Sequence, residues 1–274
     1  GPAPEPELLL RWVQAGIVMP RFSIHSWNTD GTVNEPWMYP EITPAIVGMM
    51  KLRRALQPLL HDLLWRHHAD YEPVSRPLWL DFPEDPRAWE DGDAYLLGPD
   101  LLVAPALDQG VEAVRAYLPA GATWRDLRDD KAYAGGAEHD LPAPLAGLPP
   151  MLAKEGSGVF VDLASAGFVA AKPQPGVLLY PPKEGRMTWT GFDEAEATPR
   201  DPAAPQRWGV EVEASAGALV FIAAWIGPTP APADALRIVL PRDEARRISV
   251  NGAPTTAEPA VVLGLERLVV TWKL

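Results

Sequence analysis

The chain of 274 residues contains no cysteine, which excludes a disulfide scaffold, a thiol nucleophile and a cysteine-ligated metal cluster. It has no apolar run approaching the roughly 18 residues that a membrane-spanning helix needs. Basic residues are in deficit, 24 Lys plus Arg against 36 Asp plus Glu, for a net charge of -12. Such a chain repels phosphate backbones and anionic headgroups, and no local basic patch offsets this, so neither nucleic acid nor a membrane is expected as a partner. The start, Gly1-Pro2-Ala3-Pro4-Glu5-Pro6, has no basic leader and no apolar core, so no targeting segment is readable. Gly-x-Ser-x-Gly, Gly-x-Gly-x-x-Gly and Walker-type loops are also missing, which argues against a nucleophile-elbow hydrolase, a dinucleotide enzyme and a P-loop NTPase. The five histidines, at 25, 61, 67, 68 and 139, show no ligand spacing. No cofactor and no metal are expected.

What is present points to a folded protein of about two domains, since 47% of the residues are apolar and the length is ample for a core. There are 32 prolines, more than twice the usual ~5%, and they are dispersed through apolar segments rather than gathered in one tract. Eleven tryptophans suit either a large core or sugar stacking.

The first 70 residues read as helical. After Pro6, the residues Leu8, Leu9, Trp12, Val13, Gly16 and Ile17 recur at three- and four-residue spacing with Arg11 and Gln14 between them. A second helix is predicted from Thr43, as cap, and Pro44 to about His68, long and bent where Pro58 removes a hydrogen bond. Between the helices lies a segment without period, rich in Phe22, Ile24, Trp27, Trp37, Met38 and Tyr39; left in water these side chains would expose much apolar surface, so the segment is expected to line something. Residues 74–82 read as a short buried strand despite Pro77. Everything downstream reads as β: short runs at 101–105, 115–118, 124–127 and 158–163 form one unit. A second series follows at 177–180, 187–190, 208–212, 219–225, 236–240, 247–250, 261–263 and 268–272. Val210-Glu211-Val212-Glu213 alternates as a half-buried strand, Asn251-Gly252 marks a tight hairpin, and the spacing points to an antiparallel sandwich.

Carboxylates cluster between Asp81 and Asp93, where a solvated turn with capping residues is the favoured reading over a catalytic pair. His25 sits among Arg21, Ser23, Trp27 and Asn28, a mixture of flat rings and planar hydrogen-bonding groups that furnishes a sugar pocket; on residues alone, a buried structural histidine is the competing reading.

At this loop the chain resembles glycoside hydrolase family 31, the α-glucosidase and α-xylosidase type. The resemblance is carried by residues 7–17, by Pro20-Arg21-Phe22-Ser23-Ile24-His25, by residues 51–58, by Arg76-Pro77-Leu78-Trp79-Leu80-Asp81-Phe82-Pro83 and by residues 97–105. It continues through Tyr117-Leu118-Pro119, Trp124, residues 133–136, Thr188-Trp189 and residues 192–194. It implies an α+β multidomain chain with the last elements of a (β/α)8 barrel over residues 1–94, a proximal antiparallel β-sandwich over 95–165 and a distal one over 166–274. It further implies that His25 binds the glycone in the −1 subsite, with Arg21 as a second substrate-binding candidate, although Ser23 stands where some relatives carry an arginine. The family's catalytic aspartates match no motif here, so no catalytic residue is assigned. The chain is expected to start inside a longer polypeptide whose missing barrel segment is its partner, and to meet an α-glycoside or oligosaccharide substrate. The alternative is a non-catalytic carbohydrate-binding or structural β-sandwich module, with Trp189, Trp208 and Trp225 either as a stacking platform or as core.

Overall fold

The computed structural model describes residues 1–24, 27–90, 92–167, 172–193 and 206–274. The first helix, α1 (Pro6–Gly16), starts on a proline, whose missing amide costs nothing there. Its buried face differs from the predicted stripe. Leu9, Leu10, Val13 and Ile17 are buried, but Trp12 and Leu8 are exposed, while Arg11 and Gln14 are buried. The polar pair turns inward because it finds carbonyls there: Arg11 donates to Val111 O at 2.7 Å and Gln14 to Pro144 O at 2.9 Å, tying α1 to two loops of the β region.

The expected long bent helix is two helices, α2 (Thr43–Ala55) and α3 (Gln57–Asp70). Leu56 ends one and caps the next, so Pro58 falls in a first turn, where it starts a helix instead of kinking one. Thr43 is not the cap: it is already helical, and its hydroxyl donates to Tyr39 O at 2.9 Å. The predicted strand at 74–82 shrinks to β1 (Ser75–Arg76), followed by the short helix α4 (Leu78–Asp81). Pro77 interrupts the ladder, and the Arg76 guanidinium grips both Asp81 carboxylate oxygens at 2.7 Å, folding the chain back into a turn.

Two β layers follow. Strands β2 (Tyr95–Leu97), β3 (Leu101–Val103), β5 (Thr123–Asp126), β6 (Ala132–Ala134) and β8 (Met151–Lys154) join β1 in a six-stranded sheet ordered β1-β2-β3-β8-β5-β6. The ribbon of β4 (Ala113–Leu118) and β7 (Ala137–Pro142) packs on it around fully buried Trp124, with Leu118, Leu141, Leu96 and Leu102. Strand β9 (Ser157–Asp162) then pairs with β10 (Pro175–Tyr180) in a five-stranded sheet with β14 (Ala235–Leu240), β17 (Glu258–Val262) and β18 (Leu265–Lys273), ordered β17-β18-β14-β10-β9. A second five-stranded sheet holds β11 (Gly185–Phe192), β12 (Arg207–Ser215), β13 (Ala218–Ile226), β15 (Arg247–Val250) and β16 (Ala253–Thr255), in that order. Phe160 meets Trp189, and Trp208 meets Trp272, edge to face between these two sheets.

The sheets are not purely antiparallel as expected. β10–β14 and β13–β15 are parallel, because the chain crosses to the opposite sheet between the members of each pair. Ladders also bridge residues 94 and 165: β1 pairs with β2, and β9 with β10. The hairpin at Asn251-Gly252 forms with both residues at positive φ, 50° and 80°. Asn251 has a second task, exchanging two hydrogen bonds with the Ala223 backbone on β13.

Two polar contacts lock these layers together. Arg267 on β18, 1% exposed, donates to Asp130 at 2.8 Å and to Leu127 O at 2.7 Å, while the Tyr180 hydroxyl donates to the same Asp130 oxygen. Burial foremost pushes the Tyr180 phenol far above its ordinary range. On the other side, α3 packs on β11 through a parallel stack of Trp65 on Phe192, 4.2 Å between centroids, and Asp62 accepts the Phe192 amide at 2.8 Å and Arg66 Nε at 3.0 Å. Burial pushes the Asp62 carboxyl above the usual aspartate range, with Arg66 and the Phe192 amide pulling it partly back. The folded state therefore holds this proton more readily than the unfolded chain, and stability contributed at this site falls as pH rises from ~3.9 through the raised folded value. Asparagine keeps one accepting oxygen and turns an N–H toward the other donor, so Asp62→Asn is expected to cost about 1–3 kcal/mol at neutral pH and more in acid, where the parent gains the stability of its raised carboxyl, read by urea unfolding at a series of pH values. A loss that shrinks as the pH falls contradicts this.

Candidate functional site

The segment that carries Arg21 is positioned from below by one arginine. Arg53 of α2 donates to Ile17 O at 2.8 Å, Met19 O at 2.7 Å and Pro20 O at 3.1 Å, with a longer contact to Gly16 O at 3.4 Å, and its guanidinium lies 5.7 Å from the Phe22 ring centre. Among the described residues no carboxylate shares it; its acceptors are the carbonyls left open where α1 ends and the chain turns. Burial lowers the Arg53 pKa, yet a guanidinium stays charged at any physiological pH. Sequence reasoning quoted Arg53 only as part of a family run and gave it no role, since nothing in a sequence shows carbonyls converging on one side chain.

Gly16 allows the same turn. A Cβ there would lie 2.2 Å from Phe22 Cδ2, well inside contact distance. Gly16→Ala is expected to cost about 1–3 kcal/mol by displacing the Phe22 ring, measured as a drop in the urea midpoint at unchanged slope. From this base the chain alternates: Arg21 and Ser23 are exposed, Phe22 and Ile24 are half-buried against the core. Arg21 thus lies on the surface. His25 lies outside the described residues.

Beyond it the segment closes on itself. Asn28 N donates to Thr32 O and Asn28 Nδ2 to Thr32 Oγ1, Asp30 takes the Thr32 amide and hydroxyl, and Trp27 pairs with Val33. Trp27 and Trp37 are 78% and 63% exposed, whereas Tyr39 is tied down by its hydroxyl donating to Pro4 O at 2.7 Å. The aromatic segment is therefore split: Phe22, Ile24, Met38 and Tyr39 complete the core, and the two indoles face outward. A cleft of about 490 Å³ opens beside it, reached by Pro20 and Arg53 and walled by Arg54, His61 and Phe192.

The other sequence candidates resolve into structure. Trp208 is fully buried and its indole donates to Asp193 at 2.9 Å, Trp189 is 7% exposed, and Trp225 is half-buried against Trp208. They are core, and the proposed stacking platform on the distal sheets is not formed by them. In the acidic run, Asp81 is held by Arg76, and Asp85 caps the 3-10 turn Pro86–Trp89 while accepting from Tyr117 OH at 2.6 Å and Ala120 N at 2.9 Å. Burial, then this carboxylate, push the Tyr117 phenol up to about 12. The turn-and-cap reading holds for these two; Asp91 lies outside the described residues. Among the described residues no group of three His, Asp or Glu is arranged to hold a metal.

Comparison with known proteins places this geometry. The model of the glycosyl hydrolases family 31 TIM-barrel domain matches residues 1–63, and that of the glycosyl hydrolase family 31 C-terminal domain matches residues 71–159. Neutral alpha-glucosidase AB of Homo sapiens is 38% identical over 148 residues, and a probable glucan 1,3-alpha-glucosidase of Oryza sativa subsp. japonica is 36% identical over 147; each alignment covers 53% of this chain and 16% of the relative. The chain thus spans under a fifth of the length of these curated relatives. Among solved structures, a family 31 dextranase from Flavobacterium johnsoniae superposes with a TM-score of 0.78 at 20% identity, over 97% of this chain and 36% of that one. A family 31 alpha-xylosidase from Xanthomonas citri gives 0.68 at 21%, over 97% and 28%. The structural matches establish a shared fold, and the two consecutive domain matches establish kinship: the chain belongs to glycoside hydrolase family 31.

Proposed function

We propose that this chain works within a retaining α-glycosidase acting on α-linked glucosides, where it supplies part of the glycone-binding subsite but not the catalytic carboxylates. In this reading residues 1–94 are the last elements of a (β/α)8 barrel, and 95–165 and 166–274 are proximal and distal β-sandwich domains. The observation that carries the reading is the order of the matches, barrel model first and C-terminal model next, along one chain whose relatives are named as α-glucosidases.

A retaining enzyme needs two carboxyls about 5 Å apart, one attacking the anomeric carbon and the other protonating the departing oxygen. The buried aspartates among the described residues are already committed: Asp62 to Arg66 and the Phe192 amide, Asp126 to Arg128, Asp130 to Arg267 and Tyr180. Asp62 alone combines a raised pKa with a cleft, and both its oxygens are engaged. This supports the reading in which the reacting acids belong to polypeptide outside these residues. What this chain contributes is binding: the exposed Arg21 guanidinium offers planar donors to sugar hydroxyls, on a segment set by Arg53, and His25 is the second glycone ligand. The purified chain is expected to release no product from a chromogenic α-glucoside. Turnover that follows the folded chain and is abolished by replacing an acid within it contradicts the reading.

A further inference from the structure

A second cleft, of about 370 Å³, lies between the segment after β1 and the β4–β7 ribbon, and Arg21 does not line it. One wall is a pair of indoles, Trp79 on α4 and Trp89 in the 3-10 turn, stacked with centroids 5.3 Å apart and planes 18° from parallel. They remain 41% and 59% exposed, unlike the core tryptophans 124 and 208, so among the described residues the stack keeps a broad apolar surface uncovered.

The rest of the lining is polar, Arg87 and Glu90 coming from the segment that carries Trp89, and Arg115 and Glu138 from the β4–β7 ribbon. Glu138 accepts from Arg87 and from Arg115, each at 2.7 Å, and Arg87 also donates to Glu90 at 2.9 Å while lying 4.9 Å from the Tyr117 ring centre. Two guanidiniums, Arg87 and Arg115, face three carboxylates, Glu90, Asp93 and Glu138, so no surplus positive charge is left to hold a phosphate. What is left over is hydrogen-bonding capacity, since five N–H groups on each arginine and four lone-pair sites on Glu138 exceed the bonds they make to one another. Aromatic faces beside planar donors and carboxylate acceptors suit a ring with C–H faces and hydroxyl edges. The volume lies at the lower end of the ~300–1,000 Å³ typical of ligand sites.

We propose that this cleft is an accessory binding site for a neutral oligosaccharide, a pyranose ring packing against the Trp79–Trp89 stack while its hydroxyls meet Arg87, Arg115 and Glu138. The site is separate from the glycone subsite proposed above and does not depend on it.

The test is titration of the whole chain with maltotriose, followed by tryptophan fluorescence and calorimetry. Saturable binding in the millimolar range is expected at this cleft, weakened about tenfold or more by Trp89→Ala and by Glu138→Gln, with Glu258→Gln, exposed on β17 and outside the cleft, without effect and inorganic phosphate unable to compete. Trp89 is 59% exposed but stacks on Trp79 and donates to Pro83 O at 3.0 Å, so Trp89→Ala is expected to melt a few degrees below the parent and to stay folded at the assay temperature, and Trp89→Phe to bind at an intermediate level. Absence of saturable binding, binding indifferent to Trp89, or displacement by phosphate overturns the proposal. Binding lost on Arg21→Ala but kept in Trp89→Ala overturns it while leaving the glycone reading standing.

Discussion

Arg267→Met is expected to lower the stability of the chain by about 3–5 kcal/mol, the usual cost of removing one partner from a buried ion pair. The arginine is 1% exposed and satisfies Asp130, Leu127 O and Val262 O together. Without it, the Tyr180 hydroxyl is the one side-chain partner left to Asp130 among the described residues, and Asp130 Oδ2 is buried with no hydrogen bond from them even in the intact structure. The loss stems from the stranded charge rather than from the pair's net worth, so the double variant Arg267→Met/Asp130→Asn is expected to recover part of it. Asparagine suits the second site because residue 130 sits at φ 58°, a left-handed conformation that asparagine tolerates. Urea unfolding of the parent, both single variants and the double variant checks this; a single-variant loss below 1 kcal/mol contradicts it.

Arg53→Met is expected to cost about 3 kcal/mol, near the upper value for hydrogen bonds to a charged group, because three short carbonyl contacts vanish at once and methionine replaces the fork with nothing that donates. Arg53→Lys is expected to recover little, since a single ammonium cannot span the carbonyls from residue 17 to residue 20. The consequence is local as well as global: amide exchange at residues 17–24 is expected to accelerate more than in the strands of the distal sheets, read by native-state hydrogen exchange. Uniform acceleration across the chain contradicts a specific hold on this segment.

Much of the fold was legible because it rests on local pattern. The alternation in Val210-Glu211-Val212-Glu213 appears as burial of Val210 and Val212 with both glutamates exposed, and Asn251-Gly252 makes the hairpin its φ angles require. The misreadings share a cause, that tertiary partners overrode local signals. Arg11 and Gln14 turn inward because carbonyls of distant loops meet them, displacing Trp12 to the surface. Residues 74–82 leave the strand because Arg76 captures Asp81. The parallel pairs β10–β14 and β13–β15 were invisible because strand order is set by long-range crossing and not by spacing. At the site, Arg21 was found through family resemblance and emerges exposed, but Arg53 and the Trp79–Trp89 cleft were missed. Their members, such as Trp89 and Glu138, are dispersed along the chain and meet only after folding.

The account depends on the loop between α1 and α2 meeting sugar. Histidine-labelled chain titrated with methyl α-glucoside tests this most directly by nuclear magnetic resonance. The His25 ring signals are expected to shift in a saturable way while those of His61, His67, His68 and His139 stay in place, in the parent and in Trp89→Ala alike. Saturation that leaves the His25 signals unmoved contradicts the account.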